Sequence, residues 1–349
     1  MKLAIHHSNE GFSNSWVEYC KKHGIDYKIV SCYDSDIVKQ LSDCDALMWH
    51  FHQASCKDVL FAKELMFSLQ AAGKVVFPDF HTGWHFDDKV GQMYLLKAAG
   101  APTVPTYIFY DKTKALDWVN EAEFPKVFKL RKGAGSSQVW LVNDRKEAIK
   151  IVKKAFGSGF SQYEPRSNLK ERWRKFRGGK SNLWEVIKGM VRFGYTPDFN
   201  RVAGNEKGYV YFQDFVKGND FDIRVIVIDR KAFAIKRLVR KNDFRASGSG
   251  YIEYGKENFN PETIRLSFEL AEKLQSKSLA LDYVFEDGEP LVVEISYGYA
   301  KEGYIECEGY WDRDLNWNEG SFNPQGWMVE SVVQQVKDKN LKSDIPEPT

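Results

Sequence analysis

The sequence predicts a fold of the mixed α/β and α+β class, in which a small Rossmann-like parallel α/β domain precedes a larger domain with antiparallel strands. Short apolar runs alternate with amphipathic stretches over the first 80 residues, a pattern typical of a parallel sheet with helical crossovers. Near the end of the chain, two apolar runs separated by five residues predict an antiparallel hairpin. A chain of 349 residues with 43% hydrophobic and 15% aromatic residues can fill the cores of two or three domains.

Residues 1–84 form the predicted parallel domain. Gly24 and Gly73 follow two of its helices and indicate where those helices end. No GxGxxG motif follows the first strand, so the sequence does not predict a dinucleotide-binding domain. His50 and His52 lie on one face of a strand-like run, and we expect them to line a cleft rather than to bind zinc. The predicted strands are residues 3–7, 27–32, 46–51 and 74–80, and the predicted helices are residues 13–23, 36–41 and 58–72.

Residues 85–345 form the predicted second domain. It divides into a lid subdomain at about 105–210 and a C-terminal subdomain at about 211–340. The lid contains a polar and basic insertion at residues 157–207, which we interpret either as a solvated helical insertion or as a surface for an anionic or polymeric acceptor. Further helices are predicted at residues 89–99, at 144–156 with Asn143 as its cap, at 261–276 with Pro261 in the first turn, and near 327–337.

Composition limits the function classes. A net charge of +2 makes nucleic acid an unlikely partner by charge alone. No apolar run approaches the roughly 20 residues that a membrane span needs, and the first residues do not resemble a signal peptide. Five cysteines form no CxxC pair, which favours reduced thiols. We therefore expect a cytoplasmic protein, with oligomerisation left open.

The two strands of the predicted hairpin each carry one carboxylate within an apolar run. Residues 286–290 would form the loop, with Pro290 outside the strands, and pairing of Phe285 with Leu291 places Asp282 opposite Glu294. Directly opposed side chains have Cβ atoms about 4.5–5.5 Å apart. Two ionised carboxylates at that distance repel unless a cation or a shared proton lies between them. A hard divalent ion fits, and a solvated hairpin with two unrelated acids is the alternative.

Residues 127–142 contain a second candidate site, a glycine- and serine-rich turn between two strand-like runs. Its backbone N–H groups and the charge of Lys129 suit phosphate oxygens. A Walker A loop is excluded, because the lysine precedes the glycines and a strand follows them. The alternative is an ordinary hairpin tip. The turn comprises Gly133, Ala134, Gly135, Ser136 and Ser137.

Downstream segments add polar groups at the ends of apolar runs. The run at 209–216 ends in Gln213 and Asp214, and Asp222 follows eight residues later, which suits the edge of an adenine and a ribose. Arg237 and the loop at 245–250 supply guanidinium groups that match phosphate or carboxylate.

In this order, the motifs resemble the ATP-grasp superfamily, and are similar to its ligases of the ribosomal S6-modification and glutathione-synthetase type. The matching stretches are Asp88-Lys89 with Leu95-Leu96, and residues 125–139, 213–224, 243–247 and 281–296.

The resemblance implies roles for particular residues. Lys89 and Lys129 would contact the phosphates of ATP, and Asp282, Glu294 and Ser296 would hold Mg²⁺, although the family usually has Asn at the position of Ser296. Arg224, Arg237 and Arg245 would face the transferred phosphoryl group. The other implied nucleotide-binding residues are Gly133, Gly135, Ser136, Ser137, Gln213, Asp214 (where Glu is commoner), Phe215, Asp222, Ala246 and Ser247.

The implied activity is an ADP-forming ligase that joins a small carboxylate to an amine or thiol through an acyl phosphate. Transfer of the γ-phosphoryl group requires charge neutralisation and positioning rather than a covalent nucleophile, so no cysteine is assigned a catalytic role. Two alternatives remain open: a kinase on the same scaffold, and a non-catalytic ATP-binding module.

Overall fold

The structure is a computed structural model that describes residues 1–9, 11–53, 55–133, 138–161, 173, 184, 204–240, 244–246 and 249–343. It contains a four-stranded parallel sheet followed by antiparallel sheets of four, seven and two strands, which confirms the predicted fold class. The first sheet has β1 (Lys2–His6), β2 (Asp26–Val30), β3 (Ala46–Met48) and β4 (Val75–Phe77), with α1 (Ser13–His23), α2 (Ile37–Gln40), α3 (Cys56–Ala71) and α4 (Phe80–Gly83).

The strand order β2-β1-β3-β4 creates a crevice in the first sheet. In this sheet β2 lies on one side of β1, and β3, the next strand in sequence, lies on the other side of β1. Ligands of open parallel sheets bind at the carboxyl ends of the strands where the order reverses in this way. Residues that follow β1 and β3, including Gly11 and His50, therefore lie at a favourable position for a site.

Two glycines end helices of this domain as predicted. Gly24 has a φ of +65°, and its N–H donates to the carbonyl of Cys20. Gly73, two residues beyond the last residue of α3, has a φ of +88°. Both values lie in the left-handed region, which glycine adopts without a steric penalty.

The lid subdomain is built on an antiparallel sheet with the order β5-β10-β6-β7. The predicted helix cap at Asn143 is wrong by one residue. The carboxylate of Asp144 accepts from the N–H of Glu147 at 2.9 Å and caps the helix, while the Glu147 carboxylate accepts from the N–H of Asn143, the residue before the cap, at 2.8 Å. The elements are β5 (Thr106–Phe109), α6 (Lys112–Glu121), β6 (Lys126–Lys129), β7 (Val139–Val142), α7 (Arg145–Ala155), β8 (Phe160–Ser161), β9 (Asn205–Glu206) and β10 (Val210–Asp214).

The C-terminal sheet is antiparallel, with the order β15-β14-β11-β12-β16-β17 and β13 paired to β12. The helix α5 (Lys89–Ala98) leads from the first domain toward the lid. The remaining elements are β11 (Phe221–Ile228), β12 (Lys231–Leu238), β13 (Ile252–Glu253), α8 (Pro261–Lys273), β14 (Ser278–Glu286), β15 (Glu289–Ser296), β16 (Gly309–Asp312), β17 (Trp317–Glu319) and α9 (Pro324–Ser343), with short 3-10 turns at Lys256–Asn258 and Lys301–Tyr304.

The β14–β15 hairpin confirms the central prediction and corrects its details. Asp282 lies opposite Glu294, as predicted. However, the loop is a two-residue turn at Asp287 and Gly288, whose φ values of +53° and +88° suit the type I′ turn favoured in hairpins. Pro290 therefore belongs to β15, where it pairs with Phe285. A register shift between Asp282 and Tyr283 restores the predicted carboxylate pairing.

The first and third parts of the molecule share one hydrophobic core. Helix α9 contributes Met328 and Val332, which are buried together with Ile5 of β1 and Phe233 of β12. The lid has a separate core, which includes Phe128 and other side chains of β6, β7, β10, α6 and α7. In the part of the chain that the structure describes, no helix is long and apolar enough to cross a membrane.

Candidate active site

A cavity of about 880 Å³ lies where the three parts of the molecule meet. The lid contributes the ends of β6 and β10, the hairpin contributes its two carboxylates, and the first domain contributes the loops after β1 and β3. We divide its lining into two regions. The charged end comprises Lys89, Lys129, Arg224, Arg237, Asp282 and Glu294, and the histidine end comprises Asn9, Gly11, Phe12, His50, His52 and Gln53.

Asp282 is the most heavily paired carboxylate of the charged end. Arg224 donates from Nε and Nη2 to the two oxygens of Asp282, each at 2.5 Å. Nη2 of Arg237 lies 3.1 Å from Oδ1 of the same carboxylate. Burial by itself would raise the pKa of Asp282, but the charges of Arg224 and Arg237 outweigh burial and hold this pKa well below its usual range.

Arg237 is fixed by a second acid. Its Nε and Nη2 donate to the two oxygens of Asp222 at 2.5 and 2.8 Å. The positions explain both contacts, because Asp222 faces Arg237 across β11 and β12 while Arg224 faces Asp282 across β11 and β14. Burial raises the pKa of Asp222, and the charge of Arg237 opposes this rise only in part.

Glu294, the other predicted metal ligand, is paired with Lys89. Nζ of Lys89 lies 3.2 Å from Oε1 of Glu294 and donates to the carbonyl of Gly133 at 2.6 Å. Asp87 accepts from the N–H of Gly133 at 2.7 Å, so both backbone groups of Gly133 are bound by this short segment. The sequence analysis did not identify Asp87, which has a φ of +56°, in the left-handed region, and whose pKa is raised by burial.

The structure resolves the predicted repulsion between the two carboxylates with protein cations. Arg224 and Arg237 neutralise Asp282, and Lys89 neutralises Glu294. The hydroxyl of Ser296 donates to the carbonyl of Gly298 at 2.9 Å.

The oxygen donors of Asp282, Glu294 and Ser296 fit a hard divalent cation in chemical type. Among the residues that the structure describes, no group of three or more His, Cys, Asp or Glu side chains could hold a metal. Further ligands would therefore have to be water or the oxygens of a bound anion, which is the usual situation for Mg²⁺ with nucleotide phosphates.

Lys129 is buried at the carboxyl end of β6. Its Nζ donates to Oε1 of Gln213 at 2.6 Å, and Nε2 of Gln213 donates to Oγ1 of Thr106 at 3.1 Å. Burial lowers the pKa of Lys129 to about 8, with a smaller opposing effect from Glu294. The side chain of Gln213 thus orients the lysine, a role that the sequence analysis did not assign to it.

The residues of the predicted adenine hinge line the cavity together with Val216, which follows them. The N–H of Asp214 donates to the carbonyl of Pro105 at 2.9 Å. Oδ1 of Asp214 accepts from Nζ of Lys126 at 2.6 Å. Lys126 is a buried residue that holds Asp214 from outside the cavity lining, and the sequence analysis did not identify it.

Other predicted residues of the site divide into two groups. Arg245 and Ala246 line the cavity, and Ala246 is buried. Gly135, Ser136, Ser137 and Ser247 lie outside the described residues, so their predicted contacts with nucleotide stay predictions.

The histidine end confirms that His50 and His52 line a cleft. The His50 ring stacks on Phe12 with a centroid distance of 3.9 Å and an interplanar angle of 4°. Burial, with a contribution from His52, lowers the pKa of His50 to about 3, so the ring is neutral at physiological pH. Its buried Nδ1 has no hydrogen-bond partner among the described residues.

Gly11 makes this arrangement possible. A Cβ atom at Gly11 would lie 2.2 Å from Nδ1 of His50, and the φ of Gly11 is +91°. Both observations require glycine at this position. Apart from the two histidines, the side chains of the histidine end are amide and aromatic groups.

No protein-family model and no curated protein matches the sequence of this chain. Solved structures do match its architecture. A RimK domain protein ATP-grasp from Sphaerobacter thermophilus is 15% identical with a TM-score of 0.56, and the match covers 95% of this chain and 100% of that chain. D-alanine–D-alanine ligase from Bacillus anthracis, in complex with ATP, is 13% identical with a TM-score of 0.55, covering 97% and 99%.

A third similar structure is the N5-carboxyaminoimidazole ribonucleotide synthetase from Thermotoga maritima. It is 14% identical with a TM-score of 0.59, and the match covers 95% of this chain and 75% of that chain. All three structural similarities extend over 95% or more of this chain, and they establish its fold.

Proposed function

Because the chain has the ATP-grasp fold, we propose that it is an ATP- and Mg²⁺-dependent ligase that joins a carboxylate to an amine or a thiol and releases ADP and phosphate. The observation that carries the proposal is the charged end of the cavity. It presents Lys129 from the lid, Lys89 from α5, and the arginines and carboxylates of the C-terminal sheet to one volume.

Nucleotide binding follows from this distribution of charge. Lys89 and Lys129 would bind the phosphates of ATP. The purine would lie against Phe215, with Asp214 at its edge. The carboxylates of Asp282 and Glu294, with the hydroxyl of Ser296, would hold Mg²⁺. When bound, the metal would supply charge neutralisation for the phosphates.

The chemistry has two steps. An oxygen of the substrate carboxylate bonds to the γ-phosphorus of ATP, the bond from that phosphorus to the bridging oxygen breaks, and ADP leaves. The nitrogen of the amine then bonds to the carbonyl carbon of the acyl phosphate and loses a proton, and phosphate leaves with the former carboxylate oxygen. Arg224, Arg237 and Arg245 would stabilise the negative charge that moves through both steps.

We place the acceptor at the histidine end. That end lies at the carboxyl edge of β1 and β3, where the strand order reverses, and it opens into the same cavity as the charged end. Since His50 is neutral, the part of the acceptor that contacts it is expected to be uncharged.

The test is a matrix of small carboxylates and amines, assayed for release of ADP and phosphate by the purified protein. The expected result is turnover that requires one member of each class, and a loss of roughly 100-fold or more in Asp282→Asn. An exposed acid supplies the matched control, because Asp43→Asn should keep full turnover. A stable phosphorylated product would indicate a kinase instead. ATP binding without turnover, unchanged in Asp282→Asn and Glu294→Gln, would indicate a binding module.

A further inference from the structure

Arg224 and Arg237, the two arginines that contact Asp282, differ in the number of acids that hold them. Asp282 receives both Arg224 and Arg237, and its side chain is only 13% exposed. Arg237 makes two hydrogen bonds to Asp222, whereas the carboxylate that Arg224 contacts, among the described residues, is Asp282. Arg237 is therefore anchored without Asp282. Arg224 has Tyr304 as a further polar neighbour but no second carboxylate contact among the described residues, so it is the partner that can leave.

The cation that binds Glu294 also has a partner of its own within the protein. Lys89 contacts it at 3.2 Å and also donates to the carbonyl of Gly133, so this lysine keeps a partner if Glu294 is taken by another ligand. Ser296 meanwhile donates its hydroxyl to the carbonyl of Gly298. Each predicted metal ligand thus already has a partner within the protein.

The charges of the described groups indicate what can displace these partners. Asp222, Asp282 and Glu294 are matched by Arg237, Arg224 and Lys89, and Lys129 adds a further positive charge in the same volume. A divalent cation that arrives alone must displace Arg224 from Asp282 and Lys89 from Glu294, and it brings no negative charge to bind the cations that it displaces. A metal that arrives with the polyphosphate of a nucleotide brings an excess of negative charge instead.

We propose that Arg224 is a placeholder for the metal: it occupies both oxygens of Asp282 until a metal–nucleotide complex enters, and it then turns from Asp282 to the phosphoryl and carboxylate groups of the substrates. The site consequently excludes free divalent cations, and nucleotide binding is what makes Arg224 available to the carboxylate substrate. The identity of nucleotide and metal rests on the proposed function, but the exchange of partners rests on the geometry of Asp282.

The test measures binding of Mn²⁺, a paramagnetic substitute for Mg²⁺, to the protein without nucleotide. Electron paramagnetic resonance of unbound Mn²⁺ gives the affinity directly. The wild-type protein should bind weakly, Arg224→Gln should bind about tenfold more tightly because Asp282 loses its bidentate partner, and Arg224→Lys should lie between them. Asp282 keeps Arg237 in both variants, so its charge is not left unpaired. Arg265→Gln, which removes an exposed arginine of α8, is the charge-matched control and should behave as wild type.

A second measurement follows Arg224 itself. In the arginine side-chain ¹⁵N spectrum, the Nε–H of Arg224 should lose the shift that marks its hydrogen bond to Asp282 when Mg²⁺ and AMPPNP are added together, and Mg²⁺ alone should leave it in place. Wild-type protein that binds Mn²⁺ as tightly as Arg224→Gln, or an Nε–H signal that responds to Mg²⁺ alone, would overturn the proposal. Failure of AMPPNP to bind at all would instead count against the proposed function, and the Mn²⁺ comparison would still decide the role of Arg224.

Discussion

The two ends of the cavity differ in the charge of the side chains that line them. At the charged end, partly buried acids and bases lie within hydrogen-bond distance of one another, as in the Arg224–Asp282 and Arg237–Asp222 pairs. At the histidine end, burial keeps His50 neutral and its Nδ1 has no partner among the described residues. The first arrangement can exchange one ionic partner for another, whereas the second favours an uncharged group.

The difference follows from the sheets that supply each end. In the antiparallel C-terminal sheet, residues directly opposite each other on neighbouring strands place ionised side chains in pairs, such as Arg224 with Asp282. In the parallel first sheet, the cavity is lined by loops beyond the strands, which contribute histidine, amide and aromatic side chains. The four predictions that follow test this contrast, from the largest expected effect to the smallest.

Replacing the anchored arginine should damage the fold. Arg237→Ala leaves the largely buried Asp222 without its partner and removes one of the two cations at Asp282. The free energy of unfolding should fall by about 3–5 kcal/mol, measured by chemical denaturation. Arg265→Ala, which breaks an exposed ion pair of α8, should cost less than about 1 kcal/mol. Equal losses in the two variants would show that the charged end is no more tightly coupled than the surface.

The histidine end should make the protein sensitive to acid. The pKa of His50 is lowered by burial to about 3, so between its unfolded value near 6.5 and pH 3 the unfolded state binds a proton that the folded state does not. Stability is therefore lost as the pH falls below about 6.5, by roughly 2 kcal/mol at pH 5. His50→Asn should remove this share of the pH dependence in unfolding curves, and the exposed control His81→Asn should leave it. If the free energy of unfolding depended on pH equally in the wild type and in His50→Asn, the prediction that the His50 ring is neutral in the folded state would be wrong.

Nucleotide affinity should fall in mild alkali. The pKa of Lys129 is lowered by burial to about 8, so its positive charge is lost as the pH rises through 8. Between pH 7 and pH 9 the dissociation constant of AMPPNP should rise about tenfold, or about 1.4 kcal/mol. Isothermal titration across this range provides the measurement. Lys129→Arg should bind with little pH dependence, since a guanidinium keeps its proton; a slope equal to wild type would place the titrating group elsewhere.

The smallest effect concerns the junction between the two ends. Ser296 donates to the carbonyl of Gly298, and a Cβ at Gly298 would lie 2.9 Å from Nε2 of His50. Ser296→Ala should lower the free energy of unfolding by about 1 kcal/mol. It should also weaken the binding of Mn²⁺ in the presence of AMPPNP by about threefold, or about 0.7 kcal/mol, because a hydroxyl is a weaker metal ligand than a carboxylate. An affinity equal to that of the wild type would show that Ser296 is not a metal ligand.

The sequence was informative wherever the relevant interaction is local. Strand–helix alternation predicted the parallel sheet, and the two apolar runs of the hairpin placed Asp282 opposite Glu294 because their separation in sequence is short. The details of the turn were wrong, since the Asp287–Gly288 turn and the register shift depend on backbone geometry that hydrophobic periodicity does not encode.

Pairs between distant strands could not be predicted. Lys126 meets Asp214 because β6 and β10 are neighbours in the lid sheet, although 88 positions separate the two residues in sequence. The contact of Asp87 with Gly133 likewise depends on how the segment before α5 lies against the turn that follows β6. Only the resemblance to a known family gave Arg224 a role, and its contact with Asp282 depends on the neighbouring positions of β11 and β14.

The last described helix has a consequence for how the cavity can open. Because α9 packs Met328 and Val332 into the same core as β1 and β12, the first sheet and the C-terminal sheet form a single body, which the hydrogen bond from Tyr19 to Glu330 at 2.6 Å fastens at its surface. The lid has a core of its own. A movement of the lid about its connections to this body, near residues 104 and 216, would therefore leave the histidine end and the carboxylate hairpin fixed relative to each other.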